Sequence, residues 1–146
     1  MKGVILAGLL ALVMVGCNIV TKSNDYGVYN IGVCGDEAFM ASNVDVEKDT
    51  FTILASEMAP GQAKAQSNKP IVFKFSKVVD GKRVYILVIN GHEDEIAVTA
   101  QNGVVSGTFS VNNKELAVIH GAKGSLDKID EVGQAEAQSC YDRNNR

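Results

Sequence analysis

From residue 71 onward the chain alternates. Ile71, Phe73 and Phe75 alternate with Val72, Lys74 and Ser76, and Ile96, Val98 and Ala100 alternate with Glu95, Ala97 and Thr99. A period of two with one apolar face describes a strand that packs on one side and meets water on the other. Asp80-Gly81, Asn90-Gly91, Asn102-Gly103 and Asn112-Asn113 interrupt the apolar runs every 10 to 12 residues. These pairs favour the positive φ angles of type I′ hairpin turns, and such spacing marks an all-β domain. The pattern predicts five strands over residues 71–79, 83–89, 95–101, 104–111 and 114–120, joined as one antiparallel meander. Residues 84–89 are apolar on both faces, so this reading needs something to cover the outer side of that strand.

The first half carries weaker versions of the same signals. Residues 44–47 and 51–53 flank Lys48-Asp49-Thr50 as a further hairpin, and residues 26–33 and 37–41 bring the total to about eight strands. Two segments depart from the pattern. Residues 56–70, SEMAPGQAKAQSNKP, form a long polar connection with few apolar anchors, a kind of loop that is commonly mobile or functional. Residues 125–139 read as a helix: Ser125 is an N-cap, Asp127, Asp130 and Glu131 suit the positive end of the dipole, and Leu126, Ile129, Gly133, Ala137 and Cys140 share one stripe. The expected fold class is therefore mainly β, a small antiparallel β-barrel or two-sheet sandwich of about eight strands with a C-terminal helix. That helix is expected to cover the apolar outer face of residues 84–89.

The N-terminus has a different grammar. Lys2 precedes an uncharged apolar run over residues 4–15, shorter than the ~20 residues needed to cross a bilayer and matched to a secretory signal. The run ends in Met14-Val15-Gly16-Cys17, which resembles the lipobox of bacterial lipoproteins. The resemblance covers only this leader. It implies cleavage before Cys17, a diacylglycerol on the Cys17 thiol and a further acyl chain such as palmitate, several chains being needed for durable anchoring. Residues 1–16 are then a signal peptide, residues 17–25 a lipidated N-terminus and polar linker, and residues 26–146 a single β-rich domain. Asn18 follows the cysteine where inner-membrane retention in enteric-type lipoproteins typically uses Asp, which points to the outer membrane of a Gram-negative cell envelope.

With Cys17 committed to lipid, Cys34 and Cys140 remain. An even remainder in an oxidising compartment predicts a disulfide. It would tie the start of the domain to its end around a loop of roughly 105 residues, for which the chain-entropy model gives ~4.7 kcal/mol. A C-terminal helix is the natural carrier of Cys140 to Cys34.

Removing the leader leaves 130 residues, enough for one domain with a substantial core. Thirteen basic against 17 acidic side chains give the mature chain a net charge of −4, and without a basic cluster nucleic acid is not an expected partner. Gly-x-Ser-x-Gly, His-Glu-x-x-His and spaced Cys/His sets are all missing from the sequence, so no catalytic residues, metal or cofactor are assigned. Gly121-Ala122-Lys123-Gly124-Ser125 lacks the Gly-Lys-Ser/Thr order of a phosphate loop and reads as a turn before the helix. The cluster His92-Glu93-Asp94-Glu95 at a hairpin reads as solvated charge. His120 has the strand parity of Leu116 and Val118; if those two point inward it is a rim histidine of the barrel and a candidate ligand site. Two functions stand ahead of an enzyme: a protein-interaction or inhibitor module that holds an envelope protein, and a carrier of small apolar ligands. A ligand-sized cavity inside the barrel is the observation that separates them.

Overall fold

The computed structural model describes residues 25–36, 39–58, 69–124 and 129–144. Eight strands follow in chain order: β1 (Gly27–Gly35), β2 (Phe39–Val46), β3 (Thr50–Met58), β4 (Ile71–Val79), β5 (Lys82–Ile89), β6 (His92–Gln101), β7 (Val104–Val111) and β8 (Lys114–Lys123), and helix α1 (Ile129–Asn144) comes last. Each strand runs antiparallel to the next, and β8 returns to β1 with Gly121 opposite Ile31 and Ile119 opposite Val33. The sheet is thereby a closed up-and-down barrel rather than a sandwich. Closure is the arrangement that leaves no strand without two neighbours.

The turns form as the sequence chemistry dictates. Asp80 and Gly81 take φ of 51° and 79°, Asn90 and Gly91 49° and 80°, and Asn112 and Asn113 48° and 67°, the double positive φ of a type I′ hairpin. Two further glycines serve closure. A Cβ on Gly107 would stand 1.9 Å from the Ala97 carbonyl oxygen, and one on Gly121 2.1 Å from that of Asn30. Neighbouring backbones approach too closely there for any side chain.

The two ends of the barrel differ. One carries the turns at residues 47–49, 80–81 and 102–103, together with the start of β1 and the end of β8; it is called the closed end below. The other, the mouth, carries the turns at 90–91 and 112–113 and the passage from β3 to β4. Pairing between β3 and β4 runs only from Thr50↔Lys74 to Ile53↔Ile71, although β3 continues to Met58. The two strands diverge toward the mouth. Of the polar connection expected over residues 56–70, the first three residues belong to β3, and most of the rest lies outside the described residues.

Helix α1 ends later than the sequence pattern predicts, and residues 125–128, the expected first turn, lie outside the described residues. Its position also corrects the sequence reading. It lies against the outer face of β1 and β2, where Glu136 sits so close to Gly32 that a Cβ on that glycine would be 2.7 Å from its own. Near its C-terminus the Asn144 amide donates to the carbonyls of Gly35 and Asp36 at 2.9 and 3.0 Å. The helix does not reach the outer face of β5, where Val84 is buried but Val88 is 70% exposed. The helix goes instead where the sheet offers a glycine gap and a cysteine.

Cys34 and Cys140 meet. Both are buried, their sulfurs are 1.99 Å apart and their Cα atoms 5.7 Å apart, within the ~7 Å a disulfide allows. Cys34 points out of the barrel beside Phe39 of β2, so the bond ties the helix to the wall near the mouth.

Candidate binding cavity

Inward positions follow the two-residue period set by each strand. Tyr29, Ile31 and Val33 of β1, Ile96, Val98 and Ala100 of β6, and Val105 and Ile119 of β7 and β8 share one interior. At the closed end that interior is filled. Phe51, Phe73, Phe75 and Tyr85 interlock there at ring separations of 5.8 to 6.5 Å, in the tilted and edge-on arrangements favoured by ring quadrupoles.

Polar clamps seal this end. The Asp25 carboxylate accepts from the Gly103 amide at 2.9 Å and from Lys123 Nζ at 2.5 Å, and its own amide donates to the Ala100 carbonyl at 2.8 Å. The Lys123 hydrogen bond, followed by that of Gly103, holds the Asp25 carboxyl below the usual carboxylate range. The Tyr29 hydroxyl donates to the Asp25 carbonyl. Burial, reinforced by the nearby Asp25 charge, pushes the Tyr29 phenol up to about 12. On the opposite wall the Tyr85 hydroxyl donates to the Glu47 carbonyl at 2.6 Å, while Arg83 donates to Tyr85 at 3.2 Å and lays its guanidinium 3.9 Å over the Phe75 ring. Arg83 is thus a plug over the aromatic floor.

Above that floor the barrel is hollow. A cavity of about 260 Å³ lies between the aromatic cluster and the mouth, with Phe51 and Phe73 below, Ile31, Ile96 and Ile119 on its walls, and Ile71 and Ile89 at its rim. The two rim isoleucines are about 40% exposed although they point inward. An eight-stranded barrel is just wide enough either to fill with side chains or to hold one small ligand. This one does the first in its lower half and the second in its upper half.

Among the described residues, two that line the cavity are polar. Ser42 is fully buried and its hydroxyl is 3.0 Å from that of Ser56 on β3. Asp94 lies across the cavity from it, on β6. Its side chain is 17% exposed and one carboxylate oxygen is 2.8 Å from His92 Nδ1.

The residues singled out by sequence reasoning are scattered. Cys17 and the whole leader lie outside the described residues. His120 faces the outside of the barrel, where its Nδ1 is 3.0 Å from the Glu136 carboxylate of α1, so the inward parity expected for it is overturned. A register shift between Phe109 and Ser110 opposite β8 sets Ala117, Ile119 and Gly121 as the inward series. Leu116 and Val118, 45% and 38% exposed, face out with His120. Within that series Gly121 admits no side chain, because a Cβ there would strike the Asn30 backbone.

The His92–Glu95 cluster is split by strand alternation: Asp94 turns into the cavity opposite Leu87, while Glu93 and Glu95 turn out. Among the described residues no group of three or more His, Cys, Asp or Glu side chains is placed to hold a metal ion. The sequence analysis missed Asp94 as a cavity residue, although its spacing from Ile96, Val98 and Ala100 carried the signal.

Family models, curated proteins and solved structures were all compared with the chain, and none matches it.

Proposed function

We propose that this protein carries a small apolar ligand inside its barrel, as a lipoprotein anchored through Cys17 to the outer membrane of a Gram-negative cell envelope. The observation that supports the carrier reading is the hollow upper half of the barrel, about 260 Å³ lined by aliphatic and aromatic side chains. An apolar cavity of ~150 Å³ suffices for benzene, and drug-sized ligands occupy ~300 Å³ or more. The expected ligand therefore falls between these, a single ring system or a short alkyl chain. The anchor is supported by the sequence Met14-Val15-Gly16-Cys17.

Binding is tested with the mature domain and two neutral apolar probes, N-phenylnaphthylamine and octanol. A ligand held only by the folded state at 100 times its Kd raises stability by ~2.7 kcal/mol, so the melting temperature rises and the dye brightens. Ile53→Trp, which fills the cavity from β3, removes both effects. Failure of every neutral apolar probe to bind the native domain defeats the reading. Anchoring is tested separately by feeding cells a labelled fatty acid, with incorporation lost in Cys17→Ala; unchanged labelling of that variant defeats it.

A second reading, an interaction or inhibitor module, draws support from the outer face of β4 and β5, where Val72 and Val88 are 39% and 70% exposed. Recovery of one stoichiometric envelope protein, lost on Val88→Asp with dye binding intact, favours that reading.

A further inference from the structure

We infer that the cavity selects amphiphilic organic cations, with the alkyl or ring portion in the barrel and a primary ammonium on Asp94 at the mouth. The inference rests on the carrier reading and adds the chemical class of the ligand.

Three observations converge on it. First, among the described residues the cavity wall is apolar except for Ser42 and Asp94, so Asp94 is the described acidic group that a ligand entering the cavity meets. Second, Asp94 is placed there by strand alternation between two outward-turned glutamates, opposite Leu87 in a cavity lined by apolar side chains, and is 17% exposed. A carboxylate in apolar surroundings costs free energy that a hydrogen-bonding cation recovers. Third, its described side-chain partner is His92, which touches one oxygen at 2.8 Å and is itself more than a third exposed. A carboxylate has about four acceptor sites, so His92 leaves room for an ammonium donor at the same group.

An anionic ligand finds the opposite. A fatty carboxylate seated in the cavity would bring a second negative charge toward Asp94, and Ser42, at the far wall, shares a hydrogen bond with Ser56. Like charges at short range in low dielectric repel strongly. The order of affinity for ligands of equal chain length follows: amine above alcohol above carboxylate.

The experiment is calorimetric titration of the mature domain at neutral pH with octylamine, octanol and octanoate, each below its aggregation concentration. Octylamine is expected to bind about tenfold tighter than octanol, ~1.4 kcal/mol, and octanoate weakest. Asp94→Asn, a near-isosteric change, is expected to abolish the preference, so that octylamine binds the variant no tighter than octanol does. Equal affinity for amine and alcohol, or a preference that survives Asp94→Asn, overturns the inference and leaves the carrier reading in place. No binding of octanol or of the neutral dye defeats both. Should Asp94→Asn fail to fold, the order of the three ligands on the native domain decides alone.

Discussion

The closed end and the mouth of this barrel are built from the same strands, yet they are held by different means. At the closed end Asp25, Tyr29, Arg83 and Tyr85 clamp side chain to backbone over a filled aromatic floor. At the mouth the inward side chains are isoleucines left partly in water, β3 and β4 separate, and the main fastening is outside the barrel, where the Cys34–Cys140 bond pins α1 to β1. The comparison teaches that this fold is finished at one end only. Packing supplies rigidity below, and the covalent brace supplies it above without occupying the interior.

Substitutions at the two ends should differ most. Tyr85→Ala empties the floor and removes the hydroxyl bond to Glu47; a loss of about 3–5 kcal/mol is expected, as for other large buried aromatics. Ile89→Ala at the rim is expected to cost less than ~1 kcal/mol, since that side chain is 41% exposed and borders space that is already empty. Urea midpoints of the two variants measure the difference. Similar losses would break the distinction between the ends.

Reduction of Cys34–Cys140 comes next, with an expected loss of ~2–4 kcal/mol. Its signature is regional. Amide exchange should accelerate first in α1 and in the mouth half of β1 and β2, while the closed-end halves of β5 and β6 remain protected. A midpoint unmoved by full reduction, or acceleration led by the closed end, would show that the brace does not serve the mouth.

A pH dependence belongs to the closed end alone. The Tyr29 phenol stands at about 12 in the fold against an ordinary 10.0, so the fold favours the neutral form. The resulting stability is full below pH 10 and is lost as pH rises through 12, on the order of 2 kcal/mol. Burial moves Tyr85 in the same direction, opposed by Arg83. Tyr29→Phe should therefore flatten part of the alkaline slope, as followed by thermal melts between pH 9 and 12. Identical slopes in the two proteins would dissociate Tyr29 from the alkaline response.

Much of the fold was legible because the second half is punctuated by residues with only one good use. Asn and Asp followed by Gly set the turns, and the bounds expected for residues 71–79 and 104–111 agree with Ile71–Val79 and Val104–Val111. Closure was harder to see. The pairing of β8 with β1 joins residues about ninety positions apart, and no local pattern encodes which partner a distant strand finds. The placement of α1 failed for a related reason: its seat depends on Gly32 and Cys34 pointing outward from β1, a parity visible only once β1 is paired.

The site divided in the same way. The cysteine pair followed from redox chemistry and counting, whereas His120 was misread because size was taken as the guide to the interior. Leu116 and Val118 are large and apolar, but the register shift opposite Phe109 turns them outward and Ala117, Ile119 and Gly121 inward. Asp94 was hidden by its neighbours. Three carboxylates in four positions look like surface until alternation assigns one of them to the lumen.

The position at which β1 begins fixes the bearing of the molecule on any surface to which its N-terminus is tied. Asp25 and Gly27 stand at the closed end, so under the proposed lipidation of Cys17 the closed end is the one that would face the bilayer. Strands of an eight-stranded barrel tilt by about 40° from its axis, so the nine residues of β1 carry the chain ~20 Å from the closed end to the mouth. A barrel moored as proposed would hold its mouth about one barrel length farther from the lipid than its closed end, and the proposed cargo would enter and leave from the aqueous side.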